Sequence, residues 1–360
     1  MSTKTSIEWT DATWNPVVGC SPISAGCEKC YASRMAGRFH QTTYAGYVEH
    51  IGNGTCGAWK WNGKAGLISK ALDRPLHWRK PRRIFVNSMG DLFHESVPDE
   101  WIDRVFAVMA LCPQHTFQVL TKRPERMMSR LLDGPPNWDR AIDSLPNGNQ
   151  IWVTDDCHLR VGLDCGDDPV TLAKHWPLPN VWLGVSVEDQ KTADARIPLL
   201  LRTPAALRFV SCEPLLGAII FEPEWIGDCP LCDGRGHYYV GSDIAGCNNC
   251  QGGYLHWIIA GAETGPGARP AHPDWFRSLR DQCQAAGVPY FFKGFGEWAE
   301  YTVNGPNGYT PQHRWIDLKG TVHNCGLCEV PSDDCVCIRR DGKRAAGRRL
   351  DGHEHSEIPE

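Results

Sequence analysis

No stretch of the sequence reaches 18 consecutive apolar residues, which excludes a spanning helix of ordinary length. The opening MSTKTSIEWTDATWNP has no apolar core of the kind a secretory leader requires. There is no internal repeat, so nothing points to a solenoid or propeller. Positive charge is also in short supply. Lys and Arg number 37 against 42 Asp and Glu, a formal charge of −5 that gives no global attraction to a phosphate backbone. These absences together predict a cytoplasmic chain with no membrane partner. Its 360 residues, 42% hydrophobic and 22% charged, suffice for one large domain or one domain with inserted modules.

What the sequence has in excess is cysteine. Seventeen are present, and eleven of them fall into three tight groups, 20/27/30, 229/232/247/250 and 325/328/335/337. A chain of this size with no leader does not need a disulfide framework, so closely spaced cysteines read as metal ligands. Charge is locally uneven. Lys70, Arg74, Arg79, Lys80, Arg82 and Arg83 form one basic stretch, and Arg339, Arg340, Lys343, Arg344, Arg348 and Arg349 another. Solvated surface is the ordinary reading of such runs, and a phosphate-tracking face the sharper one.

Six short apolar runs read as buried strands: IFVNSM (84–89), TFQVLT (116–121), VWLGVSV (181–187), LRFVSC (207–212), WIIAGA (257–262) and PYFFKG (289–294). They are β-branched and aromatic without polar alternation, which suits parallel strands covered on both faces. Between them PDEWIDRVFAVMALCP, with Asp99 as candidate cap, and HPDWFRSLRDQCQAAG, ended by Gly287, carry helical periodicity. The expectation is an α/β fold, a partial or complete parallel βα (TIM-like) barrel with an inserted zinc-knuckle module. Residues 1–221 hold the N-terminal part of the barrel, with a cysteine loop at 19–31 and an insertion at 134–179. Residues 222–255 form an inserted metal-binding hairpin, 256–298 the rest of the barrel, and 299–360 a C-terminal extension. Parallel barrels keep their active sites at the C-terminal ends of the strands. That rim contributes Glu188, Glu213, Glu263 and Lys293 as candidate site residues, with pairing within the barrel or plain exposure as the alternative for each. Lys122 and Arg123 are candidates for a carboxylate or phosphate, with a surface turn before Pro124 as the alternative.

The segment GCSPISAGCEKCYASRM spaces three thiols as C-x6-C-x2-C in a Gly- and Pro-bearing loop that leads into a helix. Three thiolates from Cys20, Cys27 and Cys30 on a [4Fe–4S] cluster leave one iron open to chelate S-adenosylmethionine, whose reduction yields a 5′-deoxyadenosyl radical. The alternative is a structural zinc site completed by a remote ligand such as His40.

The run TSIEWTDATWNPVVGCSPISAGCEKCYA resembles the opening of an uncharacterised phage and bacterial family related to radical S-adenosylmethionine proteins. The likeness continues through FVNSMGDLFHESVPDEW, FQVLTKRPERM, VWLGVSVEDQ, FVSCEPLLG, GAETGPGARPAHPDW and FFKGFGEW to GKRAAGRRLDG, so it covers most of the chain outside the two insertions and part of the tail. It implies a radical enzyme with its cluster on the N-terminal cysteines and a flavodoxin- or ferredoxin-like reductant. It also implies an amino-group clamp for S-adenosylmethionine at Ser88–Met89–Gly90–Asp91, where Asp91 would add charge; an ordinary helix cap by Asp91 is the alternative. Glu188 is placed with the cofactor, and Glu213, Glu263 and Lys293 with catalysis. The sequence departs from the C-x3-C-x-aromatic-C pattern of such enzymes: the first gap is six, Lys29 stands at the aromatic position and Tyr31 follows the third cysteine. The phage setting invites a nucleotide or DNA base as substrate. The competing class is a non-enzymatic metal-bearing protein that recognises nucleic acid.

Cys229, Cys232, Cys247 and Cys250 space as C-x2-C-x14-C-x2-C, two knuckles that suit a closed four-thiolate zinc site, with rubredoxin-like iron as the alternative. In the tail, Cys325, Cys328, Cys335 and Cys337 suit a second zinc knuckle or a second cluster. Cys112 and Cys283 fall in helical patterns and read as core thiols. Trp9, Trp14, Trp59, Trp61, Trp298 and Trp315 read as loop residues whose faces could stack bases, with burial in a large core the ordinary reading for most of them.

Overall fold

A computed structural model of the chain describes residues 5–52, 57–132, 151–153, 159–161, 176–227, 237–240, 243–246, 253–301, 313–324 and 334–359. Its central feature is a parallel sheet of seven strands: β1 (Ala12–Trp14), β2 (Arg83–Val86), β3 (Thr116–Thr121), β4 (Val181–Ser186), β5 (Leu207–Cys212), β6 (Trp257–Gly261) and β7 (Tyr290–Gly294). Their order in the sheet is their order in the chain. This is the single winding of a βα half-barrel; a doubly wound sheet would reverse direction at a switch point. Five helices of seven residues or more accompany the strands among the described residues: α1 (Tyr31–Gly37), α2 (Asp99–Ala110), α3 (Pro124–Leu132), α4 (Gln190–Arg202) and α5 (Pro273–Ala286).

The chain divides into two compact units, Met1–Ile23 with Ala32–Val185 and Arg202–Arg208, and Ser24–Tyr31 with Ser186–Leu201 and Phe209–Glu360. In the first, β1 pairs with β2 (Trp14 opposite Val86) and β2 with β3 (Val86 opposite Val119). Trp9 meets Phe85 at 4.7 Å and Trp14 meets Phe117 at 5.7 Å, both tilted, while the Trp14 indole N–H donates to the Ala71 carbonyl at 2.6 Å. Helix α2 buries Ile102, Val105, Phe106 and Met109, the apolar stripe that its periodicity predicts. Its N-cap is Pro98; Asp99 is the first helical residue and pairs with Arg126 at 2.8 Å.

In the second unit, β5 and β6 are buried along their whole length, as unalternating apolar runs require. Phe209, Trp257 and Phe291 form one aromatic chain, and Phe276, Phe292 and Phe295 a second. Helix α5 ends at Gly287, which takes the left-handed conformation (φ 67°) that a side chain disfavours. An antiparallel sheet of four short strands follows, in the order Trp298–Glu300, Val336–Arg340, His313–Ile316, Val322–Asn324. The end of the chain then returns to β7: Phe291 bridges antiparallel to Ser356, the His355 carbonyl accepts from Phe292 N, and the Glu357 carboxylate accepts from Tyr290 N.

Several expectations are corrected. Five of the six tryptophans assigned to loops sit in strands: Trp14 in β1, Trp59 and Trp61 in Ala58–Trp61, Trp298 in Trp298–Glu300 and Trp315 in His313–Ile316. Burial, the ordinary reading for most of them, does hold for Trp9, Trp14, Trp61 and Trp315. Within the stretch 222–255, His237–Val240 and Asp243–Gly246 pair as an antiparallel hairpin. The knuckle thiols Cys229, Cys232, Cys247 and Cys250 lie outside the described residues, as do Cys325, Cys328 and most of the 134–179 insertion.

Candidate functional site

In the first unit, the chain leaving β2 makes a tight turn directly against the strand that enters the cysteine loop. Asn87 has φ 58°, a left-handed conformation that asparagine tolerates better than most residues, and its side chain accepts from Val17 N at 3.2 Å. Asn15 accepts from the Ser88 hydroxyl at 3.1 Å and from Met89 N at 2.9 Å. Gly90 bridges Gly19, and a Cβ on Gly90 would stand 3.0 Å from the Gly19 carbonyl oxygen and 3.2 Å from that of Val17. A side chain here would press on both carbonyls, and glycine lets the two backbones meet this closely.

The turn delivers Asp91 to a buried position. Its Oδ1 accepts from the Thr121 hydroxyl (2.7 Å) and Phe93 N (3.0 Å), and its Oδ2 from Lys122 N (3.2 Å) and the Arg123 guanidinium (3.1 Å). Four bonds fill what a carboxylate can accept. Asp91 is therefore committed to residues at the end of β3. It is not a helix cap, and its oxygens are already engaged before any ammonium approaches.

Arg123, 8% exposed, is the hub. Nε donates to Glu95 (2.8 Å), Nη1 to Asp91 and to the Cys20 sulfur (3.7 Å), and Nη2 to the Ser21 carbonyl (3.2 Å) and hydroxyl (2.8 Å). All five N–H groups thus have an acceptor. Burial disfavours the charge, but Asp91, Cys20 and Glu95 outweigh it and hold the guanidinium above its ordinary pKa.

Beside it, His94 is fully buried, with Nδ1 accepting from Ser96 N at 3.2 Å. That acceptor role assigns the proton to Nε2, which donates to the Ser21 hydroxyl at 2.8 Å. Ser21 in turn donates to Glu95 at 3.0 Å. Burial and the Arg123 charge push His94 below its usual pKa, which keeps it neutral. Burial raises the Glu95 carboxyl, but its own backbone N–H, Arg123 and Ser21 bring it down to about 2. This orientation makes His94 a poor base for Ser21. The group holds the loop and does not form a nucleophilic dyad.

The second unit anchors the continuation of the same loop by the same chemistry. Glu188, 1% exposed, accepts from the Ser24 hydroxyl at 2.8 Å and from Arg196 at 3.1 Å. Ser24 lies 3.7 Å from the Cys27 sulfur. A Cβ on Gly26 would fall 2.5 Å from Glu188 Oε1, so this residue has to be glycine. Glu263 takes Arg269 through Nε (3.0 Å) and Nη2 (2.6 Å), while Arg269 also reaches Glu28 (3.2 Å) and the Ala25 carbonyl (3.0 Å). Glu188 and Glu263 are thereby loop anchors with buried, engaged carboxylates. Glu213 and Lys293 differ from them. They form a 2.8 Å ion pair at the ends of β5 and β7, partly open to solvent, over Gly261, whose Cβ would stand 2.8 Å from Glu213 Oε1.

The cysteines separate into two populations. Cys20, Cys27 and Cys30 are half-buried and in no disulfide. Cys112, Cys212 and Cys283 are buried, and burial raises all three, Cys112 to about 12. Cys335 is half-buried, and Cys337 is buried opposite Trp315. Among the described residues, no three or more His, Cys, Asp or Glu side chains stand together as a metal site. By donor type, Cys20, Cys27 and Cys30 are soft sulfurs of the kind that thiophilic metals prefer, and Cys20 lies beside a fixed cation. Sequence reasoning missed Arg196, Arg269, Ser21, Ser24, His94 and Glu95. Their only signal is a polar residue near each strand end, which does not identify its partner.

No curated protein and no solved structure matches the chain. Residues 4–359 match the family described as protein of unknown function (DUF5131), so almost the whole chain, both units and their buried acid–arginine anchors included, belongs to that family.

Proposed function

We propose that the protein is a radical S-adenosylmethionine enzyme of TIM-like barrel type, in which Cys20, Cys27 and Cys30 hold a [4Fe–4S] cluster. One observation carries the reading. The loop thiols are half-buried and in no disulfide, and Cys20 takes a guanidinium N–H from a clamped Arg123, whereas Cys112, Cys212 and Cys283 are sealed in the core. When bound, the cluster supplies the electron that cleaves the sulfonium of S-adenosylmethionine.

The chain's own residues do the rest. Arg123 offsets negative charge at Cys20, and Asp91 fixes Arg123. Because the Asp91 oxygens are fully engaged, the backbone of Ser88, Met89 and Gly90 serves as the ammonium clamp. Glu188 and Glu263 hold the loop through Ser24 and Arg269. The exposed edge of the Glu213–Lys293 pair can pass a proton between Nζ and Oε1 or receive an acidic substrate group. The substrate class we assign is a nucleotide or DNA base, with a cytoplasmic flavodoxin- or ferredoxin-like reductant. Zinc on Cys229, Cys232, Cys247 and Cys250 would brace the inserted hairpin.

Anaerobic reconstitution with iron and sulfide, then reduction with dithionite in the presence of S-adenosylmethionine, tests the reading. About four irons per open cluster, a brown protein, and release of 5′-deoxyadenosine with methionine are expected. A colourless protein that takes up only zinc would instead favour a metal-bearing nucleic-acid-binding protein.

A further inference from the structure

We propose that Arg123 is a positioning residue whose N–H donation to Cys20 sets the reduction potential of the group held by the loop thiols; the inference rests on the cluster reading above. The warrant is geometric. A guanidinium is a planar fork, and this one is fixed by Asp91 at 3.1 Å, Glu95 at 2.8 Å and Ser21 at 2.8 Å, so the N–H aimed at the Cys20 sulfur cannot swing away. Asp91 is itself immobilised by Thr121, Lys122 and Phe93. Donation to sulfur stabilises negative charge there. It therefore favours the more reduced state of a thiolate-ligated cluster and raises its potential. Lysine cannot substitute, because three donors on one nitrogen cannot span Asp91, Glu95, Ser21 and Cys20 together.

Four proteins test this after reconstitution: wild type, Arg123→Lys, the double variant Asp91→Asn/Arg123→Met, and Arg126→Lys. Arg123→Lys keeps a cation opposite Asp91, and the double variant removes both charges of the pair at once. Neither leaves a lone buried charge, so one still reports if the other does not fold. Arg126 is the control, since it binds the His94 and Val97 carbonyls and Asp99 close by and, among the described residues, donates to no cysteine sulfur. The readout is the midpoint of a redox titration followed by electron paramagnetic resonance, with circular dichroism to check the fold. Loss of a charge-assisted hydrogen bond predicts a roughly tenfold smaller ratio of reduced to oxidised cluster, at the wild-type midpoint, in both Arg123 variants. Arg126→Lys should match wild type. Loaded, folded Arg123 variants with the wild-type midpoint would overturn the role of Arg123 while leaving the cluster reading intact. Wild-type protein that takes up no iron would overturn both.

Discussion

Asp91 Oδ2 and Arg123 Nη1 stand 3.1 Å apart with side chains only 7% and 9% exposed, and each partner holds a different piece of chain. Asp91 ties the end of β3 to the turn after β2, and Arg123 ties that turn to the cysteine loop. Asp91→Asn should therefore destabilise the fold and not merely weaken a ligand. An amide in that place would turn a donor towards Arg123 and Lys122 N, leaving donors facing donors. Urea denaturation should show a loss of about 3 kcal/mol, the usual scale for breaking a buried pair. A loss no larger than the ~1 kcal/mol of a surface pair would mean the geometry is slack.

Acid should unfold the protein in two stages. The folded-state pKa of His94 is depressed below 6.5, so the unfolded chain takes up its proton first, and stability falls as pH drops below about 6.5. The Glu95 carboxyl lies at about 2 in the folded protein against 4.5 ordinarily, so its contribution is present above 4.5 and is lost as pH falls towards 2. Because Glu95 is largely exposed, solvent screening keeps this second stage small. His94→Gln should flatten the first stage and Glu95→Gln the second, as read from thermal midpoints across pH. If both variants keep the wild-type profile, the network does not govern acid stability.

Gly26→Ala is a minimal change with a specific victim. The new methyl would overlap the Glu188 carboxylate, which is itself held by Arg196 and cannot retreat without breaking that pair. Overpacking on this scale costs roughly 1–3 kcal/mol, and the loop should loosen. Faster iodoacetamide labelling of Cys27 and Cys30, with Cys20 unchanged, is the expected signature in the metal-free protein. Equal labelling of all three would show that the anchor is not local.

Native metal-free protein should label in two classes. Cys20, Cys27 and Cys30 should react within minutes, whereas Cys112, Cys212 and Cys283 should react only after denaturation, since a buried thiol is neither ionised nor reachable. Peptide mass spectrometry separates them. Early labelling of Cys283 would contradict its place in the core.

The strands were legible because burial on both faces leaves a strong compositional trace: TFQVLT and LRFVSC match β3 and β5 residue for residue. β1 was not, because the three residues of ATW, between Asp11 and Asn15, are too few to show any pattern. Within the site, residue types were readable and pairings were not. Glu188 and Glu263 announce themselves as acids at strand ends, yet whether such a carboxylate faces a cavity or an arginine is decided by Arg196 and Arg269, each only a few residues on in sequence. The partner of Asp91 was hidden as well. It lies 32 residues away on the next strand's end, and no local signal reports it.

The segment after Leu350 reads as a leftover polar tail, but its attachment along β7 gives it the task of an edge guard. Without it, the backbone donors of Tyr290 and Phe292 would lose their acceptors and an aromatic strand would lie open to any other extended chain. Aggregation is the natural fate of such an edge. Deletions reaching back past His355 should therefore give protein that is made but does not stay dispersed, and affinity handles belong at the other end of the chain.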